Sequence, residues 1–413
     1  MRGNMKITTT PSNLNNTLKL ISPTVSNIDE ITQNVSFHVE GGNVTLASTN
    51  YTGFSKATLE CSVEGEDTSF TIEYKRLSMW LKASAKKAEV NLTFKDSSVT
   101  ATAKGSKSRV TFPSLSEDSL FKFPETLDEE QETVKCKTDR LYNALKYIRS
   151  AVYKDDDRPT LNLVECRDGS LLGSDSVAMA TLSLEGFENC KIKVQAQELG
   201  NLINFLGGQG EADVSVREGD TSTHFVTESA VFGLSHYNSS FPSFNPEEEG
   251  VEWTSWAVDC EELKEALAIL SASADFDVKH DQQCADLTKS EESIRVEMIG
   301  ADGKVGFADI PLLNEEEEEG EEASEAEDVD ATIESAIGED FCDSEESDEE
   351  ETNEEVTTFS ISTKRLGELL NKHLSDTITL DLMAKGNGGM LRVQTSVGED
   401  LYSSYLAWMK RRA

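Results

Sequence analysis

KITTTPSNLNNTLKLI at positions 6–21, VKCKTDRLYNALKYI at 134–148 and AVDCEELKEALAIL at 257–270 follow one pattern. Each opens as a short strand, passes a polar residue and continues as an amphipathic helix. The apolar stripe falls at i, i+4 and i+7: Leu14, Leu18 and Ile21; Leu141, Leu145 and Ile148; Leu263, Leu267 and Leu270. That spacing lies on one helical face. Asn13, Thr138 and Asp259 are expected N-caps, because their oxygens can accept from the free N–H groups of a first turn. The offsets between the three segments are 127 and 122 residues.

A second helix recurs inside each interval, as EYKRLSMWLKASAKK at 73–87, VQAQELGNLINFLGG at 194–208 and ISTKRLGELLNKHL at 361–374. Its stripe falls at i, i+3 and i+4: Leu77, Trp80 and Leu81; Leu199, Leu202 and Ile203; Leu366, Leu369 and Leu370. The offsets here are 122 and 167, and the second returns to 125 once a 42-residue run at 314–355 is removed. That run holds 23 Asp or Glu and no Lys or Arg, so it reads as a graft on the third unit.

Between the helices the chain alternates or runs apolar with β-branched enrichment, as in VNLTFK, VTATAK, NVTLAS, TLNLVE and MLRVQT. The turn signals EGGN, RDGS, GADG and GNGG separate these strands. Each unit of about 120 residues is therefore expected to be two strand–helix–strands motifs, with every sheet completed by its neighbour. Acidic connectors fall near 124–132 and 246–252. The expected division is 1–126, 133–248 and 253–413, with a disordered insert at 314–355.

The 413 residues carry a formal charge of −39. Spread evenly, such a charge would argue against nucleic acid, but the acidic run alone holds more than half of it. No stretch approaches the ~20 apolar residues of a membrane span, and MRGNMKITTT lacks the apolar run of a signal peptide. Seven scattered cysteines without a CxxC pair suggest neither zinc nor a disulfide framework, and a reducing interior is expected. GGQG at 207–210 and GNGG at 386–389 lack the Lys-Ser/Thr of a phosphate loop and read as turns. Asp155, Asp156 and Asp157 read as a solvated loop rather than a metal site. No catalytic constellation, cofactor or metal is expected.

LNLVECRDGSLLGSDSVAMATLSL at 161–184, VFGLSHYNSSFPSF at 231–244, and the C-terminal course from TFSISTKRLGELLNKHL to SSYLAWMKRRA resemble the bacterial DNA polymerase III beta subunit, the DNA sliding clamp family. The matching positions include Leu161, Asn162, Asp175, Phe241 and Pro242. The chain looks like a divergent or phage-type member; it departs from the family at Ser176–Ala178, where a His-Arg pair is common, and at its WMKRRA end, so a peptide preference different from that of the host clamp is expected. The resemblance implies an α+β protein of three repeated clamp domains. It further implies a homodimeric ring with helices inside and sheets outside. Such a ring is a non-enzymatic processivity factor that encircles double-stranded DNA without regard to sequence. It tethers the polymerase and clamp loader through short linear peptides, in the cytoplasm of a bacterium or an infected bacterial host. Two alternatives stand beside this reading: a clamp-like recruiter of transcription or repair proteins, and an acidic decoy or scaffold that keeps the fold without encircling DNA.

Helix charge fits the ring. The six helical segments sum to +8 in a chain of −39. A sliding ring needs attraction to phosphates without base readout. The expected DNA-facing cations are Lys75, Arg76, Lys82, Lys86, Lys87, Arg140, Lys146, Arg149, Lys154, Arg158, Lys364, Arg365 and Lys372. The helix at 259–270, at −3, fits poorly. By resemblance, a partner-peptide pocket involves Leu161, Ser174, Val177, Met179, Pro242, Leu406, Ala407, Trp408 and Met409. By the same resemblance, Val110, Phe112, Ile269 and Leu270 belong to the dimer interface. The insert is expected to project away from the hole, since 23 acids inside would repel DNA.

Overall fold

The computed structural model describes residues 5–116, 120–242, 253–272, 283–290, 292–300, 303–313, 358–371, 373, 375–385 and 388–409. The acidic run, the second connector and Lys372 lie outside the described residues.

Seven helices occur among those residues: α1 (Pro11–Ile21), α2 (Glu30–Gln33), α3 (Tyr74–Ser84), α4 (Thr138–Ile148), α5 (Ala196–Gly207), α6 (Cys260–Ala272) and α7 (Thr363–Leu370). Every leucine and isoleucine of the six expected stripes is buried, and Trp80 is half-buried. Burying one such side chain contributes about 1.5–3 kcal/mol, so the stripes suffice to dock these short helices.

The expected caps divide. Asp259 caps α6, its Oδ1 accepting from Glu262 N at 2.8 Å. Asn13 does not cap α1. Thr10 does, its Oγ1 accepting from Asn13 N at 3.1 Å, because Pro11 with its preset φ takes the first helical position. Thr138 is the first residue of α4 rather than its cap. Its hydroxyl donates to Ala212 O at 3.2 Å and ties the helix start to the strand after α5.

In the second and third units the order is strand, helix, three strands, then strand, helix, three strands. The first unit adds α2 and a short strand at Ser62–Glu64, neither of them expected. The EGGN and RDGS turns form hairpins with positive φ at Gly41, Gly42, Asp168 and Gly169, the left-handed geometry of a tight two-residue turn.

The strands join across unit boundaries. The last strand of the second unit, Ala230–Ser235, pairs antiparallel with the fourth of the first, Gly53–Thr58. The last strand of the third unit, Asp400–Met409, pairs with the fourth of the second, Ala178–Ser183. One hydrophobic core runs through units one and two, a second fills unit three, and a small third cluster sits where units two and three meet.

Candidate functional site

The helices pack in pairs, α1 with α3, α4 with α5 and α6 with α7, and form a layer on one side of the sheets. Their apolar stripes face the cores, which turns the cations outward. Lys75, Arg76, Lys82, Lys86, Lys87, Lys146, Arg149, Lys154 and Arg158 are exposed. Lys86 and Lys87 stand just past the end of α3, and Lys154 and Arg158 in the loop after α4. Among the described residues, Lys75, Lys82, Lys86, Lys87, Arg149 and Lys154 have no ion-pair partner, so their charge is free for an external anion. Lys146 lies over the Tyr142 ring at 5.7 Å, and Arg158 over Tyr153 at 5.2 Å while donating to Ser176 Oγ. Arg76 pairs with Glu73 at 2.7 Å. Lys364 is half-buried beside α6.

Two of the expected DNA contacts face sideways instead. Arg140 makes two hydrogen bonds to Asp400, at 2.9 Å from Nε and 2.5 Å from the second terminal nitrogen. Arg365 pairs with Asp175 at 2.7 Å. Both bonds join unit two to unit three. A short helix beside a seam can aim a long side chain either along the layer or across it, and a carboxylate within reach across the seam decides which.

Tyr147 of α4 completes this seam. Its hydroxyl hydrogen-bonds Ser404 Oγ at 2.7 Å, and its ring meets Tyr402 and His373 edge-on. Burial raises the Tyr147 hydroxyl well above its ordinary pKa, so it stays protonated. Burial, with Lys264 nearby, pushes His373 down to about 4. Neither of its ring nitrogens has a hydrogen-bond partner.

The seam between units one and two is built differently. Glu198 of α5 is buried, and its Oε1 accepts from Asn50 at 2.8 Å and Thr52 at 2.6 Å on the first unit. Phe54 lies over Gly233, where a Cβ would stand 2.3 Å from the ring, so the join requires glycine. His224 meets Phe54 edge-on at 5.1 Å, and its Nδ1 accepts from Leu127 N at 3.1 Å.

The pocket residues also divide. Leu161 and Met179 belong to the small third cluster with Leu163, Phe241 and Tyr405, packed by Leu172, Tyr237, Trp253 and Met390. Leu406 does not line it, being buried in the core of unit three. Strand register explains the correction: Met179 stands opposite Tyr405 and Met390 opposite Ala407, so the residue between points to the other face. Val177 is 51% exposed, and Ala407 and Pro242 are exposed at the rim. Ser174 turns to its own hairpin, donating to Ala178 O at 2.9 Å. Trp408 and Met409 continue the last strand, paired with Gly389 and Gly388, and their side chains lie outside the described residues. The same cluster also holds Leu172, Tyr237, Trp253, Met390 and Tyr405, which the sequence did not point to. The period-two register would have supplied Tyr405, whereas the connector aromatics had no such signal.

Of the interface residues, Phe112 and Leu270 are buried in their own cores. Val110 is half-buried on the strand Arg109–Pro113, and Ile269 is 59% exposed on α6. Among the described residues, Cys61, Cys136, Cys166, Cys190 and Cys260 form no disulfide. Burial pushes Cys136 up to about 12, which leaves it an inert thiol.

No family model matches the sequence, and no curated protein matches it. Solved structures do match. The DNA polymerase III beta subunit of Thermotoga maritima is 15% identical, with 99% of this chain and all of that chain covered at a TM-score of 0.73. A putative DNA polymerase III beta subunit of Eubacterium rectale is 12% identical, covering 98% and 99% at 0.74. The DNA polymerase sliding clamp of Bacillus subtilis is 17% identical, covering 99% and 100% at 0.73. Over nearly its whole length, the chain has the fold of the bacterial DNA polymerase III beta subunit, the sliding clamp.

Proposed function

We propose that the chain is a DNA sliding clamp, a non-enzymatic ring that encircles duplex DNA and tethers a polymerase. The supporting observation is the pair of strands left over at the sheet ends. At both internal seams, the last strand of one unit pairs with the fourth strand of the unit before it. Among the described residues, two such strands stand at a sheet edge with one side unpaired: Arg109–Pro113, last of unit one, and Gly303–Pro311, fourth of unit three. Continuing the rule joins unit one of a second copy to unit three of the first. A head-to-tail contact of this kind closes into a ring when its rotation allows. With three units per chain we propose two copies, and the domain limits 1–126, 133–248 and 253–413.

The surfaces at those edges suit each other. Met79 on α3 is 64% exposed, and Ile269 on α6 and Phe307 on the edge strand nearly as much. Such apolar side chains gain by being covered. The closing seam would also place α3, with Lys82, Lys86 and Lys87, beside α6, with Glu261, Glu262 and Glu265. The acidic helix that fits a DNA-facing layer poorly thus finds a role as the electrostatic partner of the most basic one.

The free cations of α3 and of the α4 region are the proposed phosphate contacts, and the Leu161–Met179–Tyr405 cluster is the proposed peptide pocket. A pocket of aliphatic, aromatic and sulfur side chains suits an apolar peptide anchor. No helix of the described residues is long and apolar enough to cross a membrane. We place the protein inside a bacterial cell or infected bacterial host.

The test is topological. The clamp, loaded on nicked circular DNA, should stay bound through gel filtration and be released when the circle is cut. Equal loss from circular and linear DNA would support the decoy or scaffold reading instead. Replacing Arg149 and Lys154, which lie away from the closing seam, by Glu should weaken retention most strongly at low salt, because counterion release scales with the number of phosphate contacts.

A further inference from the structure

The seam between units one and two carries a cavity of about 600 Å³ on the outer face of its sheet, beneath the connector. The connector lays Phe121 and Phe123 over it, and Lys56 donates to Pro124 O. The position repeats. In the next unit Phe241-Pro242 follows Phe123-Pro124 at nearly the unit spacing. There Glu165 accepts from Phe241 N at 2.6 Å and Arg167 donates to Phe241 O at 2.8 Å. Counted from the hairpin turns, Thr45 and Lys56 stand where Leu172 and Met179 stand in unit two. The same place is therefore apolar at one seam and polar at the other.

Two nitrogens of this cavity lack their natural partner. His38 lines it, and its buried Nε2 has no hydrogen bond, while Nδ1 is engaged with Ser69 Oγ at 3.0 Å. Lys56 is half-buried with no carboxylate at ion-pair distance among the described residues, its ammonium held by a carbonyl and the Phe54 ring at 5.3 Å. A half-buried ammonium and an orphaned imidazole nitrogen in one aromatic-walled space suit a carboxylate with an apolar body. Glu40 and Glu228 at the rim are exposed and set a charge limit on what enters.

We propose that this cavity is a second peptide site, taking an acidic side chain flanked by apolar residues from a partner protein. The carboxylate would sit between Lys56 and His38 Nε2. The choice of a peptide rests on reading the equivalent place at the other seam as a peptide pocket. The chemistry of the occupant rests on Lys56 and His38 alone.

The experiment uses the full chain with ¹³C-labelled histidine and methionine methyls. Acetyl-Glu-Leu-Phe-amide and acetyl-Gln-Leu-Phe-amide are titrated to millimolar concentration and followed by NMR. The His38 ring signal, identified with His38→Gln, should move with the Glu peptide and at least tenfold more weakly with the Gln peptide. Lys56→Met should abolish that preference without changing the melting temperature. An unmoved His38 signal, or equal response to both peptides, overturns the proposal. The Met179 methyl reports the other seam separately, so its response without one at His38 removes the second site and leaves the proposed function standing.

Discussion

The two internal seams make the same strand-to-strand join with opposite chemistry. Between units one and two, among the described residues, no ion pair crosses. The contact is an aromatic ring seated on Gly233 and a buried Glu198 satisfied by neutral donors. Between units two and three, two arginine–carboxylate pairs and a buried tyrosine hydroxyl cross. The shared backbone join shows that strand pairing sets the architecture, while side chains set how each joint responds to its surroundings. The first seam depends on shape and the second on charge. Each also buries one histidine, His224 bonded at Nδ1 and His373 bonded at neither nitrogen.

The largest expected effect comes from shape. Gly233→Val would push a side chain into the Phe54 ring. It should cost about 3 kcal/mol, read as a lower urea midpoint, with little dependence on salt. A variant as stable as the parent would mean that Phe54 does not sit across the joint. Charge comes next. Asp400→Asn leaves the Arg140 guanidinium without its carboxylate and should cost about 2 kcal/mol in dilute buffer. The loss should shrink in 1 M salt, where the parent's pair is itself partly screened. A salt-independent loss would make the second seam like the first.

The smallest effect is a titration. The His373 imidazole is held down to about 4 in the folded chain, against an ordinary value near 6.5 when unfolded. Between these values the unfolded chain binds a proton that the folded chain refuses, so stability falls as pH drops through that window. His373→Leu should remove about 1 kcal/mol of that loss at pH 5.5, seen as a smaller drop in Tm from pH 7 than in the parent. His224, also pushed down to about 4 by burial, would continue to contribute in both proteins.

Much of the fold could be read in advance because helix stripes are local. Leu141, Leu145 and Ile148 obey a 3.6-residue period whatever they pack against, and the repeat of that stripe counted the units. The hairpin turns at 41–42 and 168–169 were legible for the same reason, since positive φ selects Gly and Asp locally. The site was less legible. Arg140 and Arg365 look like any cation on a helix face, and only their nearness to Asp400 and Asp175 turns them into seam residues. Leu406 was expected beside Met179, whereas the strand register puts Tyr405 opposite Met179.

The sequence by itself determined the helices, the repeat, the isolation of the acidic run and the concentration of positive charge on one layer. Each follows from short-range periodicity or from counting. Tertiary structure alone decided which strands join across units and, among the described residues, which last and which fourth strand stand at a sheet edge. It also decided which cations face outward and which cross a seam. Those outcomes depend on contacts between residues as far apart in the chain as Arg140 and Asp400, and no local rule encodes them.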